Sequence, residues 1–562
     1  MMSPKSILKQ KKRLVLSLLL IPAFFSPSTH QLLKKDTTHD QQPLMEDKDI
    51  RPADIDSSLC LLEKLFQTQG ADGALYFARQ RAIDMTGESV RVVIEMTSEG
   101  NDDLLNPVQA LGGIIETSYG NLIQTLMPLF SLQALSRVPG IKQIRLPLKS
   151  LPCAVISEGV AVTRADDWQA IPSFHTEAKV KVAVLDAGFQ GYEDLLGTEL
   201  PDSVTVKSFR QDKNIFTTKH GTACAEIIHD MAPHAELWLV NYETDVEFSN
   251  AVDYLLGQGI NIISYSMGWV NAGAGDGTGP ISSQVKKAND NDIVWVSAVG
   301  DEAQNHWQGN FRDSDEDQWN DFGVEDNTLH LDCSQGNLLQ IYLNWDDWGN
   351  WNEALRTYSG SSQDYDLYLY KETDKDEETG ELILSLVAYC SNAQTGTQWP
   401  VESIEYQIPE LGRYHVKIKN QKTSRNCKLE LFVRNATDLE YLNPEESLLM
   451  PADSPHSLSV GATNWENDSY DIHSSQGPTA SGRVKPDYCA PSGVRTASYK
   501  ELGFSGSSAA TPHVAGALAL LKATTAFSLD DIKAILQMRA LDLGPSGKDN
   551  QFGWGRLRLV IR

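Results

Sequence analysis

Three short stretches of this chain put an acid, an imidazole and a hydroxyl in settings where each can do chemistry. Asp186 closes the apolar run Val182-Ala183-Val184-Leu185 and is followed by Ala187-Gly188, so a carboxylate sits where a buried strand turns sharply. His220 opens a helical stretch, Gly221-Thr222-Ala223-Cys224-Ala225 onward to Met231, which stops before Pro233. Ser508 lies in the small-residue turn Gly506-Ser507-Ser508-Ala509-Ala510-Thr511-Pro512-His513, which feeds the apolar helix Val514 to Leu521. A serine hydroxyl is a poor nucleophile until a base takes its proton, and imidazole is the commonest base and acid for that task. A carboxylate behind the imidazole holds one tautomer and stabilises the cation. A helix start adds free N–H groups and positive dipole character for a developing oxyanion. Taken singly, Asp186 reads as a turn cap and Ser508 as a helix cap. In the chain order Asp, His, Ser, they read as a nucleophilic acyl-transfer site.

That order is the one found in subtilisin, and the three motifs together resemble the subtilisin-like serine protease (subtilase) family from about Glu158 to Gly555. The resemblance implies a serine endopeptidase that forms an acyl-enzyme with Asp186, His220 and Ser508. The family's Gly-Thr-Ser pattern places the nucleophile third, hence Ser508 and not Ser507, which replaces a threonine. Ser264-Tyr265-Ser266-Met267-Gly268 resembles the family's substrate-pairing edge strand, and Ser297-Ala298-Val299-Gly300 resembles the wall of its P1 pocket. Ser266, Gly268, Ser297 and Gly300 would then bind an extended peptide by strand addition; plain core strand ends are the other reading. Asp301 departs from the pattern, because the family normally has an asparagine there that donates to the oxyanion. An ionised carboxylate cannot donate and repels the charge. Sedolisins and some proprotein convertases carry aspartate at that point, so an oxyanion role for Asp301 requires the protonated acid. A catalytically impaired protease-fold protein that binds peptides or partners is the alternative function.

The elements that must position these groups follow from hydrophobic pattern. Apolar runs at Val180–Leu185, Glu236–Val240, Ile260–Ser264 and Ile293–Ser297 alternate with helical stretches, which predicts an α/β fold, a parallel sheet covered by helices. From residue 305 to 444 the period changes to two: Leu339–Trp345, Asp366–Tyr370, Tyr414–Ile418 and Lys428–Val433 read as antiparallel strands. This is an inserted β-sandwich, and Asp364-Tyr365-Asp366-Leu367-Tyr368-Leu369 resembles the pre-peptidase C-terminal type of domain. The resulting division is a signal peptide over 1–27, a polar linker over 28–55, an α/β unit over 56–151, and protease sequence over 155–304 and 445–562. Lys485-Pro486-Asp487 and Ala490-Pro491 resemble the family's approach to its serine. In the 56–151 unit, a strand at Val90–Met96, a helix at Ser131–Val138 and a strand at Ile141–Pro147 resemble a subtilase propeptide. A permanent N-terminal domain is the other reading.

The chain has 562 residues and a net charge of -27, a balance that argues against nucleic acid and for peptide or protein substrates as partners. Lys5, Lys9, Lys11, Lys12 and Arg13 precede a short apolar run, Leu14 to Phe25, as in an export signal, so the expected location is secreted, periplasmic or extracellular. No later run is long and apolar enough to span a bilayer. Seven cysteines leave at least one unpaired within the chain, and Cys390 and Cys427 are candidates to pair in an exported chain. Cys224 falls one helical turn after His220, as a packing residue or a thiol open to heavy metals. No cofactor is required. The alternating carboxylates of Asp313-Ser314-Asp315-Glu316-Asp317 allow calcium as a structural ion, with a solvated acidic loop as the plainer reading.

Overall fold

The computed structural model describes residues 53–80, 83, 85–97, 102–147, 155–170, 179–324, 326–525 and 527–561. The expected signal peptide, and the linker as far as residue 52, lie outside the described residues. The chain divides into two compact units, one up to residue 151 and one from residue 152.

The first unit is a six-stranded sheet with helices. Its strand order is Asp54–Ile55, Ile141–Arg145, Ser89–Met96, Leu122–Pro128 and Ile114–Tyr119, with Met85–Thr86 beside Ser89–Met96. Every second residue of Ser89–Met96 is buried, including Val90, Val92, Ile94 and Met96, as alternation requires of a strand that packs one face on a core. The strand, short helix (Leu132–Leu135) and strand expected here are present. The helix Ser57–Gln80, broken at Gly70, and the strand pair Ile114–Pro128 were not legible, because neither carries a clean apolar period.

The second unit is built on a seven-stranded, all-parallel sheet. The order is Tyr488–Ser492, Ser457–Asn464, Val294–Ala298, Ile262–Tyr265, Lys181–Asp186, Glu236–Asn241, Thr205–Ser208. Lys181–Asp186 comes first in the chain yet sits inside the sheet. Connections therefore leave it in both directions, and the crevice this opens at the strands' carboxyl ends is the usual site in such folds. The strands are near-continuous apolar runs because both faces are covered. Val182, Val184, Leu237 and Val296 pack against the helices His220–Met231 and Ser507–Thr524. Ala183, Leu185, Val240 and Trp295 pack on the other face against Asp245–Leu256 and Pro280–Asn289.

Between the strands Val294–Ala298 and Ser457–Asn464 the chain forms two four-stranded antiparallel sheets. One runs His306–Asn310, Lys428–Arg434, Leu338–Trp345, Val401–Gln407; the other runs Leu329–Cys333, Gly412–Lys422, Asp364–Lys375, Leu382–Cys390. Alternate residues, among them Leu339, Ile341, Leu343, Leu367, Leu369, Val416, Ile418 and Leu431, share one apolar core. Four of the eight strands were read from sequence; His306–Asn310, Leu329–Cys333, Leu382–Cys390 and Val401–Gln407 were not. The last two carry mixed or outward-facing apolar residues that blur the period.

The six described cysteines are all free, so Cys390 and Cys427 do not pair. The Cys427 thiol is buried in the core shared by the two sheets, whereas the Cys390 sulfur, at a strand end, accepts a hydrogen bond from Asn392 Nδ2 at 3.1 Å. In the loop 313–317, the carboxylates cap their own backbone: Asp313 accepts from the N–H groups of Asp317 and Gln318 at 3.0 Å each.

The inserted sheets begin and end at one point, where the Asn443 N–H donates to the His306 carbonyl at 2.9 Å. They meet the parallel unit through a set of polar contacts, among them Asn344 with Asn271, Ser283 with Glu353 and Arg356 with the Pro280 carbonyl. Asn271 Nδ2 donates to Leu343 O at 3.1 Å, the Ala274 N–H to Tyr358 Oη at 3.1 Å, and Arg434 pairs with Glu302 at 3.1 Å. Insertions whose ends adjoin are readily excised, and a hydrogen bond contributes about 0.5–1.5 kcal/mol. Replacing residues 305–444 by a short linker is therefore expected to lower the thermal midpoint yet leave one cooperative transition by calorimetry. A broad, non-cooperative melt would show that the antiparallel sheets complete the core.

Candidate active site

Asp186 ends the interior strand Lys181–Asp186 and is fully buried, with Oδ1 accepting the Ala187 N–H at 2.8 Å. Its carboxylate faces the Nδ1 of His220, 2.8 Å from Oδ2 and 3.1 Å from Oδ1. Two glycines allow this approach. A Cβ on Gly188 would lie 2.0 Å from Thr217 Oγ1, and one on Gly221 would lie 2.6 Å from the Phe189 ring and 2.9 Å from Asp186 Cβ. The helix that His220 opens can thus seat its first turn directly on the Asp186 turn. The edge of the Phe504 ring system meets the imidazole with centroids 5.3 Å apart, which leaves the histidine side chain only 21% exposed. Burial opposes its protonation, but the Asp186 carboxylate, by charge and hydrogen bond, and then Asp301, by charge, outweigh it. The His220 pKa is raised.

Ser508 is the second residue of the helix Ser507–Thr524, whose first N–H groups have no acceptor within the helix. Gly506, at φ 85, turns the chain into the helix; a Cβ there would lie 2.3 Å from Asp301 Oδ2. Pro512 stands four residues after Ser508 and has no N–H, so the Ser508 carbonyl lacks its helical partner. That carbonyl instead accepts from Ser266 Oγ at 3.0 Å and from the Cys224 thiol at 3.7 Å. The Ser508 hydroxyl donates to the Ser266 carbonyl at 3.1 Å; among the described residues no hydrogen bond joins it to His220. Ser507 is buried, and its hydroxyl accepts from the Gly300 N–H at 3.2 Å, which leaves Ser508 as the half-exposed one of the pair.

Asp301 lies beside this turn, where its Oδ1 accepts the Ser507 N–H at 2.8 Å. Burial raises its pKa to about 6, against the hydrogen bonds from Ser507; the charges of Asp471 and Glu302 add to the rise. Ser266 and Gly268 lie just past the end of the strand Ile262–Tyr265, and Gly300 just past that of Val294–Ala298, where the two strands part. Ser297 lies within the second strand. It is fully buried, its hydroxyl bonded to Trp295 Nε1 and to Ser457 Oγ at 2.9 Å each, because strand alternation puts it on the face of Trp295, which helices cover. Its side chain is a core group.

Cys224 is buried, and burial followed by the charge of Asp186 pushes its thiol well above the ordinary range, so it packs as a neutral group. Its sulfur, an Asp186 oxygen and a His220 nitrogen lie within 4.8 Å of one another. Three further residues support the site and were not singled out from sequence. Glu226, on the His220 helix, accepts the Ala497 and Ser498 N–H groups at 2.5 and 3.2 Å, and burial raises its pKa to about 7. Asp230, one turn on, accepts the Ser157 N–H at 2.8 Å and is raised to about 7 by the same cause. His513 is buried and joins Ala509 O to Ser157 Oγ at 2.9 Å each; burial lowers it to about 4. The signal available was an acid inside the apolar turn Ala225-Glu226-Ile227-Ile228 and a histidine inside a small-residue helix.

Residues 405–555, which include Ser508, match the profile described as the Subtilase family. The chain is 34% identical over 134 residues to bacillopeptidase F of Bacillus subtilis, covering 22% of this chain and 9% of that protein. It is 48% identical over 56 residues to an extracellular serine protease of Serratia marcescens, covering 10% and 5%. The matched segments thus span less than a tenth of either relative's length. Among solved structures, the CspB protease of Clostridium perfringens aligns at a TM-score of 0.48 and 15% identity, covering 70% of this chain and 97% of that one. The epidermin leader peptide processing serine protease of Staphylococcus aureus aligns at 0.36 and 12%, covering 84% and 97%. Over residues 405–555 the chain is similar to the subtilase family.

Proposed function

We propose that this chain is an exported subtilisin-like serine endopeptidase, made as a precursor, which cleaves peptide bonds by acyl transfer. The observation that carries this reading is the 2.8 Å pairing of buried Asp186 with His220 at the sheet's carboxyl edge, where half-exposed Ser508 heads a helix. In the first step the Ser508 hydroxyl leaves the Ser266 carbonyl for His220, which takes its proton as Oγ attacks the substrate carbonyl carbon. The imidazolium, held by Asp186, then gives the proton to the leaving amine, and the acyl-enzyme forms. Water, deprotonated by the same imidazole, hydrolyses the ester. The Ser508 N–H, free at the helix start, donates to the oxyanion, and protonated Asp301 is the second donor. Export accords with the extracellular relative named above. The α/β unit before residue 151 is the proposed propeptide.

Two observations favour a second reading, a peptide-binding protein without turnover: the Ser508 hydroxyl is bonded to Ser266, and Asp301 stands where the family has an amide donor. A fluorophosphonate separates the two, since it labels only an activated serine. Wild type is expected to be labelled and Ser508→Ala not. Loss of the serine should lower hydrolysis at least about a thousandfold and leave the precursor unprocessed. Self-maturation of Ser508→Ala, seen by intact mass, would remove Ser508 as the nucleophile.

The pH profile tests Asp301. As a donor it must hold its proton, which it loses as pH rises through about 6, whereas His220 must be neutral, which its raised pKa delays to higher pH. The two requirements oppose each other, so kcat/KM is expected to follow a narrow bell of low amplitude. Asp301→Asn donates at every pH and removes a charge that raises His220. Its profile should become a single rising limb displaced to lower pH, with a higher rate near neutrality. The loss of one oxyanion donor costs about 10²–10³ in rate, which bounds the gain. Superimposable profiles for the two proteins would exclude Asp301 from the oxyanion site.

A further inference from the structure

The parallel neighbours Ile262–Tyr265 and Val294–Ala298 are paired as far as Tyr265 and Ser297 and then part. Ser508 faces that fork, with its hydroxyl on the Ser266 carbonyl, while the N–H of Ser507 reaches Asp301. On the protease reading above, the side chain of the residue whose carbonyl is attacked begins two bonds from the reacting carbon. On the resemblance of residues 264–268 and 297–300 to the substrate-pairing strand and the P1 wall, it enters between the segments 266–268 and 299–301. Gly268 and Gly300 face each other across this gap, and glycine on both sides would leave a slot.

The slot is filled from within the chain. A Cβ on Gly268 would lie 2.5 Å from Leu449 Cδ1, and a Cβ on Gly300 would lie 2.6 Å from Leu449 Cγ. One isobutyl group therefore packs against both glycines, and Leu449 is only 5% exposed. The segment that carries it is held on both sides. The Leu449 N–H donates to Val299 O at 2.8 Å, Trp269 N–H to Met450 O at 3.0 Å, and Met450 N–H to Trp269 O at 3.2 Å. The Ala452 N–H closes a turn on the Leu449 carbonyl at 2.9 Å. Withdrawing Leu449 would break these bonds, and forcing a second large group into the same space is overpacking.

We infer that Leu449 is the specificity-determining residue of the site: it plugs the slot between Gly268 and Gly300 and restricts cleavage to bonds that follow glycine, alanine or serine. A small side chain needs no slot, so its carbonyl reaches Ser508 with the plug in place. A leucine or phenylalanine cannot bring its carbonyl to the same point.

The test compares kcat/KM on peptides identical except for glycine, alanine, leucine or phenylalanine at the attacked residue. Wild type, Leu449→Ala and Leu449→Gly are measured, with fluorophosphonate labelling run in parallel. Wild type is expected to favour alanine over phenylalanine by roughly 50-fold or more. Leu449→Gly should raise the phenylalanine peptide by about 10–100-fold, as a changed pocket contact does, and move alanine less than about threefold. Labelling of wild type together with equal cleavage after alanine and phenylalanine overturns the inference and leaves the protease reading standing. So does a wild-type profile that both folded variants reproduce. Should the variants fail to fold, the wild-type profile decides by itself. Absence of both labelling and cleavage overturns the protease reading, and the inference with it.

Discussion

The helix Ser507–Thr524 runs buried through the second unit, and the rest of the site depends on how it is held. Nearly every residue from Ala509 to Leu521 is inaccessible, so this helix is not amphipathic; it is apolar all round because sheet and helices enclose it. Gly516 lets the His220 helix cross it closely, since a Cβ there would lie 2.5 Å from Met231 Cβ. That crossing sets the distance between the imidazole and the serine turn. Pro512 is the one break in the ladder, and its missing N–H hands the Ser508 carbonyl to Ser266 and Cys224. The residue with reactive potential is thus tied to the neighbouring strand end and to the His220 helix at once.

Burying this much chain leaves carboxylates in poor solvent, and the fold answers each with donors. Asp487 receives Lys485 Nζ at 2.6 Å and Lys548 Nζ at 2.8 Å. Burial works against its charge, but the two ammonium groups hold its pKa down at about 2. It also takes the Ser459 N–H at 2.9 Å, which braces the strand Ser457–Asn464 where the chain leaves the inserted sheets. Glu226 and Asp230 have only backbone and hydroxyl donors, and their pKa values rise instead. The difference is physical: a full opposite charge offsets desolvation, whereas a hydrogen bond offsets part of it. Asp301 belongs with the second group, and its helix-start position next to His220 gives that property a chemical consequence.

The inserted sheets bear on the site through the return of the chain. Their ends meet at His306 and Asn443, and the seven residues that follow carry Leu448, Leu449 and Met450 back against Trp269 and Val299. The strand fork beside Ser508 is therefore lined by residues far apart in sequence. Tyr358, from the inserted region, adds to this by accepting the Ala274 N–H and bonding Thr278 Oγ1 at 3.0 Å, which anchors the loop after Trp269.

What was legible in the sequence was local. Apolar runs marked Lys181–Asp186 and its parallel neighbours, because a strand covered on both faces needs consecutive apolar residues. Period-two alternation marked the inserted strands, and small-residue turns marked Asp186, His220 and Ser508, because sharp turns and close helix starts demand glycine and alanine. The helix Ser57–Gln80, the outward-facing strand Leu382–Cys390, the burial of Ser297 and the free state of Cys390 and Cys427 were not legible. Each depends on which surface another part of the chain covers. The same holds for the partner of the Ser508 hydroxyl, for the raised pKa of Glu226 and for Leu449 between Gly268 and Gly300. The sequence by itself determined which groups can react. Tertiary structure alone decided what each one touches, because desolvation, hydrogen-bond competition and the filling of a slot are set by residues that meet only in the folded chain.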